Sequence, residues 1–344
     1  MRAGRARRIG LQAAWLGVAG AAIQLRHLRR IATDPENTRL RSPAAGRALT
    51  ITSADGTRLH AEAFGCEGGP SVVLAHGWTE SLMFWTYVIE QLGRKGFRVV
   101  AYDLRGHGAS GRAVGDDYSV ARFGEDVEAV LAGTVPAGER ATVAGHSLGA
   151  ISITAWAGEH DVCARASAVA LINAGVGELL AEQLLIPVPA LANAVNRAFG
   201  PDGVLGARAP LPRFSTPITH ALVRYAAFGP TASPAQVAFY ERMLIACPPD
   251  VRATVGIALS ELALRGAVPR LTVPALVVAG DRDRLTPPSH ARRIAAHLPR
   301  LARLMILEQT GHMAPLERPL AVSEALAQLA AEDRAVVAVP GAGG

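Results

Sequence analysis

Lysine is all but missing from this chain: Lys95 stands alone against 34 arginines in 344 residues. The imbalance is a compositional bias and does not by itself signal a nucleic-acid partner. Cysteine is scarce as well. Cys66, Cys163 and Cys247 are odd in number, widely spaced and without a CxxC pair. They supply neither a disulfide framework nor a zinc site, and buried free thiols are expected. No H-E-x-x-H or comparable cluster suggests a metal, and no G-x-G-x-x-G follows a strand-like run, so no cofactor is expected. Internal repeats are lacking too. Charged residues make up only 19% and apolar ones half of the chain, which excludes a disordered polymer. The length suits one catalytic domain carrying an insertion as well as two small domains.

The net charge of +6 is unevenly placed. Residues 1–47 hold ten arginines against Asp34 and Glu36, a balance of +8, while the rest of the chain carries 25 basic and 27 acidic residues, a balance of −2. The positive field belongs to an N-terminal appendage and not to the body, which argues against a nucleic-acid-binding catalytic domain. Arg2, Arg5, Arg7 and Arg8 precede an apolar run from Ile9 to Leu25, and Arg26, Arg29 and Arg30 follow it. The front half has the layout of a secretory signal, with Ala19-Gly20-Ala21 as a small-residue cleavage site and Arg7-Arg8 as a faint twin-arginine match. Basic residues at both ends of so short a run fit an uncleaved anchor or a surface-lying helix equally well. A packed soluble helix is the remaining reading. Membrane or envelope association through residues 9–25 is favoured. Residues 33–47 read as a linker.

Beyond it, Ala48–Thr52 and Leu59–Phe64 alternate around Asp55-Gly56, the pattern of a β-hairpin. Ser71–Ala75 is a continuous apolar run, as in a strand buried on both faces. Helix and strand patterns then alternate: a helix at Phe84–Leu92, a strand at Arg98–Tyr102, and a helix at Val120–Leu131 with acids on its outer face. Strands follow at Ala141–Ala144, Ala168–Ile172, Val273–Ala279 and Leu304–Leu307, the last two leading into helices near Ser289–His297 and Leu320–Ala331. This order predicts an α/β fold with a mostly parallel sheet flanked by helices. Between residues 175 and 270 the alternation stops. Helical patterns at 178–185, 191–199, 218–227 and 234–246 predict a helical cap inserted into a core formed by 48–174 and 271–333, with a frayed tail over 334–344.

The most informative stretch is Gly145-His146-Ser147-Leu148-Gly149, lying between the strand Ala141–Ala144 and the small, apolar segment 150–158. A serine between two glycines at a strand–turn–helix junction is the context of a nucleophile elbow. A serine hydroxyl is a weak nucleophile near neutral pH and needs a base, with a third group to orient that base. Gly280-Asp281-Arg282-Asp283 follows one late strand and Gly311-His312 follows the next.

With these motifs the chain resembles the α/β-hydrolases from about residue 48 to residue 332. The resemblance implies Ser147 as nucleophile, His312 as general base and a late acid. In that family the acid commonly stands four residues before a proline, which matches Asp283 and Pro287; Asp281 is read as capping the turn. An H-G-x element, here His76-Gly77-Trp78, implies an oxyanion hole formed by the backbone amides of Trp78 and Leu148. Tyr102–Ser110 resembles the family's D-x-R-G-x-G-x-S turn and is read as loop architecture, with His76 a structural hydrogen-bonder and His107 exposed.

His146 and Leu148 favour the esterase and lipase-like branch, and Ser147 stands where an epoxide hydrolase or haloalkane dehalogenase would carry aspartate. The expectation is a serine hydrolase acting on a small-molecule carboxylic ester with an apolar group. Thioester, perhydrolase-like or C–C bond hydrolysis on the same residues is the alternative, and a non-catalytic ligand-binding protein the third. Phe84, Trp85, Phe214, Tyr225, Phe228 and Phe239 are each expected to be packing residues before pocket-lining ones.

Overall fold

The structure, a computed structural model, describes residues 19–177, 208 and 211–337. Its strands are β1 (Arg47–Thr52), β2 (Arg58–Gly65), β3 (Ser71–Ala75), β4 (Arg98–Tyr102), β5 (Ala141–His146), β6 (Ala166–Ile172), β7 (Ala275–Gly280) and β8 (Leu301–Leu307). The principal helices are α1 (Pro35–Arg41), α2 (Thr86–Arg94), α3 (Val120–Thr134), α4 (Leu148–Glu159), α5 (Pro217–Ala227), α6 (Pro234–Ala246), α7 (Pro249–Ser260), α8 (Pro288–His297) and α9 (Pro319–Val337). A further helical stretch covers 19–32.

The strands form one sheet in the order β1-β2-β4-β3-β5-β6-β7-β8. β1 and β2 pair as the expected hairpin, turning at Gly56, whose φ of +88° suits a residue without a Cβ. β2 runs antiparallel to β4, and every later pair is parallel. Each residue of β3 to β7 is buried, because helices cover both faces of a parallel sheet. Alternate side chains therefore enter different cores. Val73 and Ala75 meet Phe123, Val127, Ile151 and Trp156 of α3 and α4. Val72 and Leu74 meet Val88 and Leu92 of α2 and Val322 and Leu326 of α9.

Between β6 and β7 the described part of the insertion is helical. Pro217 and Pro234 open α5 and α6 behind capping boxes at Thr216 and Ser233, which satisfy amides that have no partner within the helix. Helix α7 was not expected. Its Pro248-Pro249 opening and its threonine and glycine obscure a periodic pattern, although proline is well tolerated at a first helical position. The helices expected at 178–185 and 191–199 lie outside the described residues, as do residues 1–18 and 338–344.

Several expectations change. Within the presumed linker, Pro35–Arg41 forms α1, capped by Asp34 and anchored by the buried Leu40. Asp34 also accepts from the Ala235 amide at 3.1 Å, tying this segment to α6. Cys66 and Cys163 are exposed; only Cys247 is buried, where burial pushes its thiol up to about 12. Phe84, Trp85, Phe228 and Phe239 pack inside, whereas Phe214 and Tyr225 are exposed. Asp126, taken for an outer-face acid of α3, is fully buried. It accepts two hydrogen bonds from the buried Arg105 at 2.6 and 2.7 Å, and Arg105 also reaches Asp55 at 2.8 Å. The planar guanidinium binds both oxygens of Asp126, which compensates a charge that would otherwise be costly to bury. His107 is buried and not exposed, its Nδ1 bonded to the Arg105 carbonyl at 3.0 Å.

Candidate active site

Ser147 stands between β5 and α4 with φ +50° and ψ −114°. A non-glycine residue there is strained, and such strain persists only where its surroundings hold it. Close packing explains the glycines on either side. A Cβ at Gly145 would lie 2.4 Å from the Ala150 nitrogen, and one at Gly149 would lie 2.2 Å from the Ala75 carbonyl oxygen. The Ser147 amide donates to the Ile172 carbonyl at 2.9 Å, holding the turn against β6. Leu148 opens α4, so its amide has no acceptor within the helix.

The loop after β3 presses on this elbow. A Cβ at Gly149 would also lie 2.7 Å from the His76 carbonyl oxygen, and one at Gly77 would lie 2.8 Å from His146 Nδ1. The residues just before Trp78 thus pack directly on the elbow. The Trp78 indole donates to the Arg252 carbonyl at 3.1 Å, linking the loop to α7. His76 is a structural hydrogen-bonder, as expected: Nδ1 donates to the Gly77 carbonyl at 2.7 Å, and Nε2 accepts from the Leu104 amide at 3.0 Å.

His312 lies between β8 and α9, its amide bonded to the Ala227 carbonyl at the end of α5 at 2.8 Å. Its Nδ1 is 2.8 Å from Asp283 Oδ2. Two ties bring it to the elbow: its carbonyl accepts from His146 Nε2 at 2.8 Å, and its ring centroid is 4.9 Å from that of His146. Asp283 is buried and its two oxygens have separate tasks. Oδ1 accepts from the Leu285 and Thr286 amides, each at 2.9 Å. Oδ2 accepts from His312, from the Thr286 hydroxyl at 2.8 Å and from the Asn173 amide group at 2.9 Å. Asp281 instead accepts from the Thr310 amide at 3.1 Å and braces the loop before His312.

These surroundings fix the protonation preferences. Burial works against charge on Asp283, but His312 and the amide donors outweigh it and hold the carboxyl below its usual range. For His312, burial disfavours the imidazolium, and the Asp283 carboxylate more than compensates, with Glu317 adding to it. Its pKa is therefore raised.

Sequence reasoning missed the supports. Asn173, with φ +48°, follows β6 and donates to both Asp283 and the Gly311 carbonyl. Glu317 accepts from the Gly229 amide at 2.7 Å and the Gly311 amide at 3.0 Å, joining the cap root to the His312 loop. Glu80 accepts from the Gly77 amide at 2.5 Å. Asn173 directly follows β6, Glu80 lies two residues after His76-Gly77-Trp78 and Glu317 five after His312, and those positions are the signal that could have found them.

A sequence family described as alpha/beta hydrolase fold matches residues 70–319. The chain belongs to the α/β-hydrolases. Among relatives of this hydrolase, epoxide hydrolase B of Mycobacterium tuberculosis is 38% identical over 131 residues, 37% of this chain and 36% of that protein. The match thus spans about a third of that relative's length. The pimeloyl-[acyl-carrier protein] methyl ester esterase of Nitrosomonas europaea is 28% identical over 272 residues, 76% of this chain and 95% of that one. A thermophilic esterase from Thermogutta terrifontis superposes with a TM-score of 0.67 at 20% identity, covering 84% of this hydrolase and 99% of the esterase. At that identity the superposition speaks for the fold alone.

Proposed function

We propose that this α/β-hydrolase cleaves carboxylic esters through an acyl-enzyme on Ser147. The observation that carries the reading is a strained serine at the elbow, tied through the neighbouring His146 to a buried histidine that is itself held 2.8 Å from a buried carboxylate. Ser147 Oγ attacks the ester carbonyl as His312 takes its proton. The Trp78 and Leu148 amides stabilise the tetrahedral oxyanion, and Asp283 supports the imidazolium. His312 then returns the proton to the leaving alcohol. Water repeats the sequence and releases the acid.

Among the relatives, the methyl ester esterase matches along most of its length, whereas epoxide hydrolase B matches over about a third. The serine at the elbow also favours acyl over alkyl chemistry. Thioester, perhydrolase-like or C–C bond hydrolysis is the second reading, since the same residues could serve it; the third, a ligand-binding protein without turnover, retains the fold only. p-Nitrophenyl esters of graded chain length, assayed beside acyl thioesters and diketones, test the choice. Turnover of the esters with a preference for longer acyl chains is expected. Silence on every ester with turnover of a thioester or diketone would replace the reading with the second.

A membrane surface is the proposed partner of the N-terminal segment, residues 9–25. In support, the helical stretch 19–32 exposes Ile23, Leu25 and Leu28, and α5 beside it exposes Ile218, Leu222 and Tyr225. His27 joins the two through Ser215 Oγ at 2.9 Å and the His220 ring. Arg26, Arg29 and Arg30 would favour anionic head groups. Among the described residues no single helix is long and apolar enough to cross a bilayer. In fractionated cells the full chain is expected in the membrane pellet and a variant lacking residues 1–30 in the supernatant; equal partitioning of both refutes the assignment.

A further inference from the structure

Behind the elbow lies a second carboxylate–imidazole contact that the proposed reaction does not use. Glu80 and His146 are both buried, at 3% and 0% exposure. His146 Nδ1 is 3.1 Å from each Glu80 oxygen, and Oε2 also accepts from the Gly77 amide at 2.5 Å. On its other side, His146 Nε2 meets the His312 carbonyl at 2.8 Å, and Phe84 stacks on the ring at 4.5 Å.

These contacts fix a proton count. A carbonyl oxygen can only accept, so His146 Nε2 carries a hydrogen and donates it to His312. Nδ1 then faces the Glu80 carboxyl group. With no proton between them, a lone pair and an anion would oppose each other at 3.1 Å between two buried side chains, which is costly. One further proton, either on Nδ1 or on Glu80, turns that opposition into a hydrogen bond. Both placements give the same total charge, zero.

We infer that Glu80 and His146 form a positioning pair that retains one shared proton and fixes the main chain on both sides of the reacting centre. On one side it holds the carbonyl of His312. On the other it holds the Gly77 amide and thereby the Trp78 amide that follows. The pair acts through those groups and does not touch substrate. It also explains why the residue before Ser147 is a histidine, because only a side chain with two opposed ring nitrogens spans both contacts. The pair's neutrality matters to His312. Asp283 and Glu317 already place negative charge around that ring, and the retained proton cancels the Glu80 contribution. The inference rests on the proposed roles of His312 and Trp78.

Two variants and one spectrum test it. Glu80→Ala removes the acceptor of Gly77 and the partner of His146, and kcat is expected to fall about 10²-fold with KM within about threefold, the effect of misplacing a reacting group. Glu80→Gln keeps both contacts without the extra proton: its carbonyl accepts from Gly77, and its amide donates to Nδ1 of a neutral His146. It should recover kcat to within about tenfold of wild type. Because a neutral pair replaces a neutral pair, the acid limb of kcat/KM should move by less than about 0.3 pH units. If Glu80→Gln is as slow as Glu80→Ala, or if its acid limb drops by about one unit, the pair holds no proton and the inference is wrong.

The proton can also be seen without turnover. In the full-length Ser147→Ala protein, a far-downfield, exchange-protected proton resonance coupled to Nδ1 of His146, distinct from that of the Nε2 proton given to His312, should be present, and should vanish in Ser147→Ala/His146→Gln. Its absence from a folded Ser147→Ala protein overturns the inference whatever the fate of the hydrolase reading. Failure of a fluorophosphonate to label wild type would count against Ser147 alone.

Discussion

Ser147→Ala is expected to lower ester turnover by a factor on the order of 10⁶ and to abolish covalent labelling by a fluorophosphonate probe. The size follows from the arrangement. Without the hydroxyl, His312 has no nucleophile to deprotonate, and the amides of Trp78 and Leu148 are left to act on a carbonyl attacked only by water. The remaining acceleration from binding and the oxyanion site is about 10³–10⁴ over the uncatalysed reaction. Stability gives an independent readout. Alanine keeps the φ of +50° and ψ of −114° and therefore keeps the strain, so Ser147→Ala should melt close to wild type. Ser147→Gly, which relieves the strain, should gain about 1–2 kcal/mol. A Ser147→Ala protein that still labels, or that still turns over esters within tenfold of wild type, would remove Ser147 from the reaction.

The elements that were legible in the sequence share a physical cause. Strands β3 to β7 are buried on both faces, so they appear as short, largely apolar runs set apart by helix-length segments. Ser147, Asp283 and His312 were legible because the turns that present them follow strand ends with glycine at close quarters. Those turns form motifs of adjacent residues. The supports were not legible, because each pairs residues far apart in the chain: Glu80 with His146, Asn173 with Asp283, Glu317 with Gly229. Burial of Asp126 was missed for the same reason. An acid on a helix is read as solvated until a partner is known, and its partner Arg105 comes from a loop 21 residues earlier. The exposure of Phe214, just before α5, and of Tyr225, on it, was not foreseen because composition cannot say which face of the cap meets the core.

Asp283→Asn carries the second large effect, a fall in kcat of about 10⁴-fold. The hydrogen bonds decide which way the asparagine turns. The position of Oδ1 receives two backbone amides, from Leu285 and Thr286, and only a carbonyl oxygen can accept them. The amide NH₂ must then occupy the position of Oδ2, facing His312 Nδ1. It donates to that nitrogen and leaves the hydrogen on Nε2, the atom that has to receive the proton of Ser147. The base is held in the wrong tautomer. The same NH₂ faces the Asn173 amide group, so a modest loss of stability should accompany the loss of rate. The pH profile supplies the sign. His312 works as a base only when neutral, so activity is lost as pH falls through its folded pKa. Asp283 raises that pKa above the ordinary value of 6.5, which places the wild-type acid limb above pH 6.5. Asparagine removes the charge that raises it, and the limb of the residual activity should move to lower pH. A wild-type kcat/KM that is flat from pH 5 to 8, or a limb that stays in place in Asp283→Asn, would show that His312 is not the base that Asp283 supports.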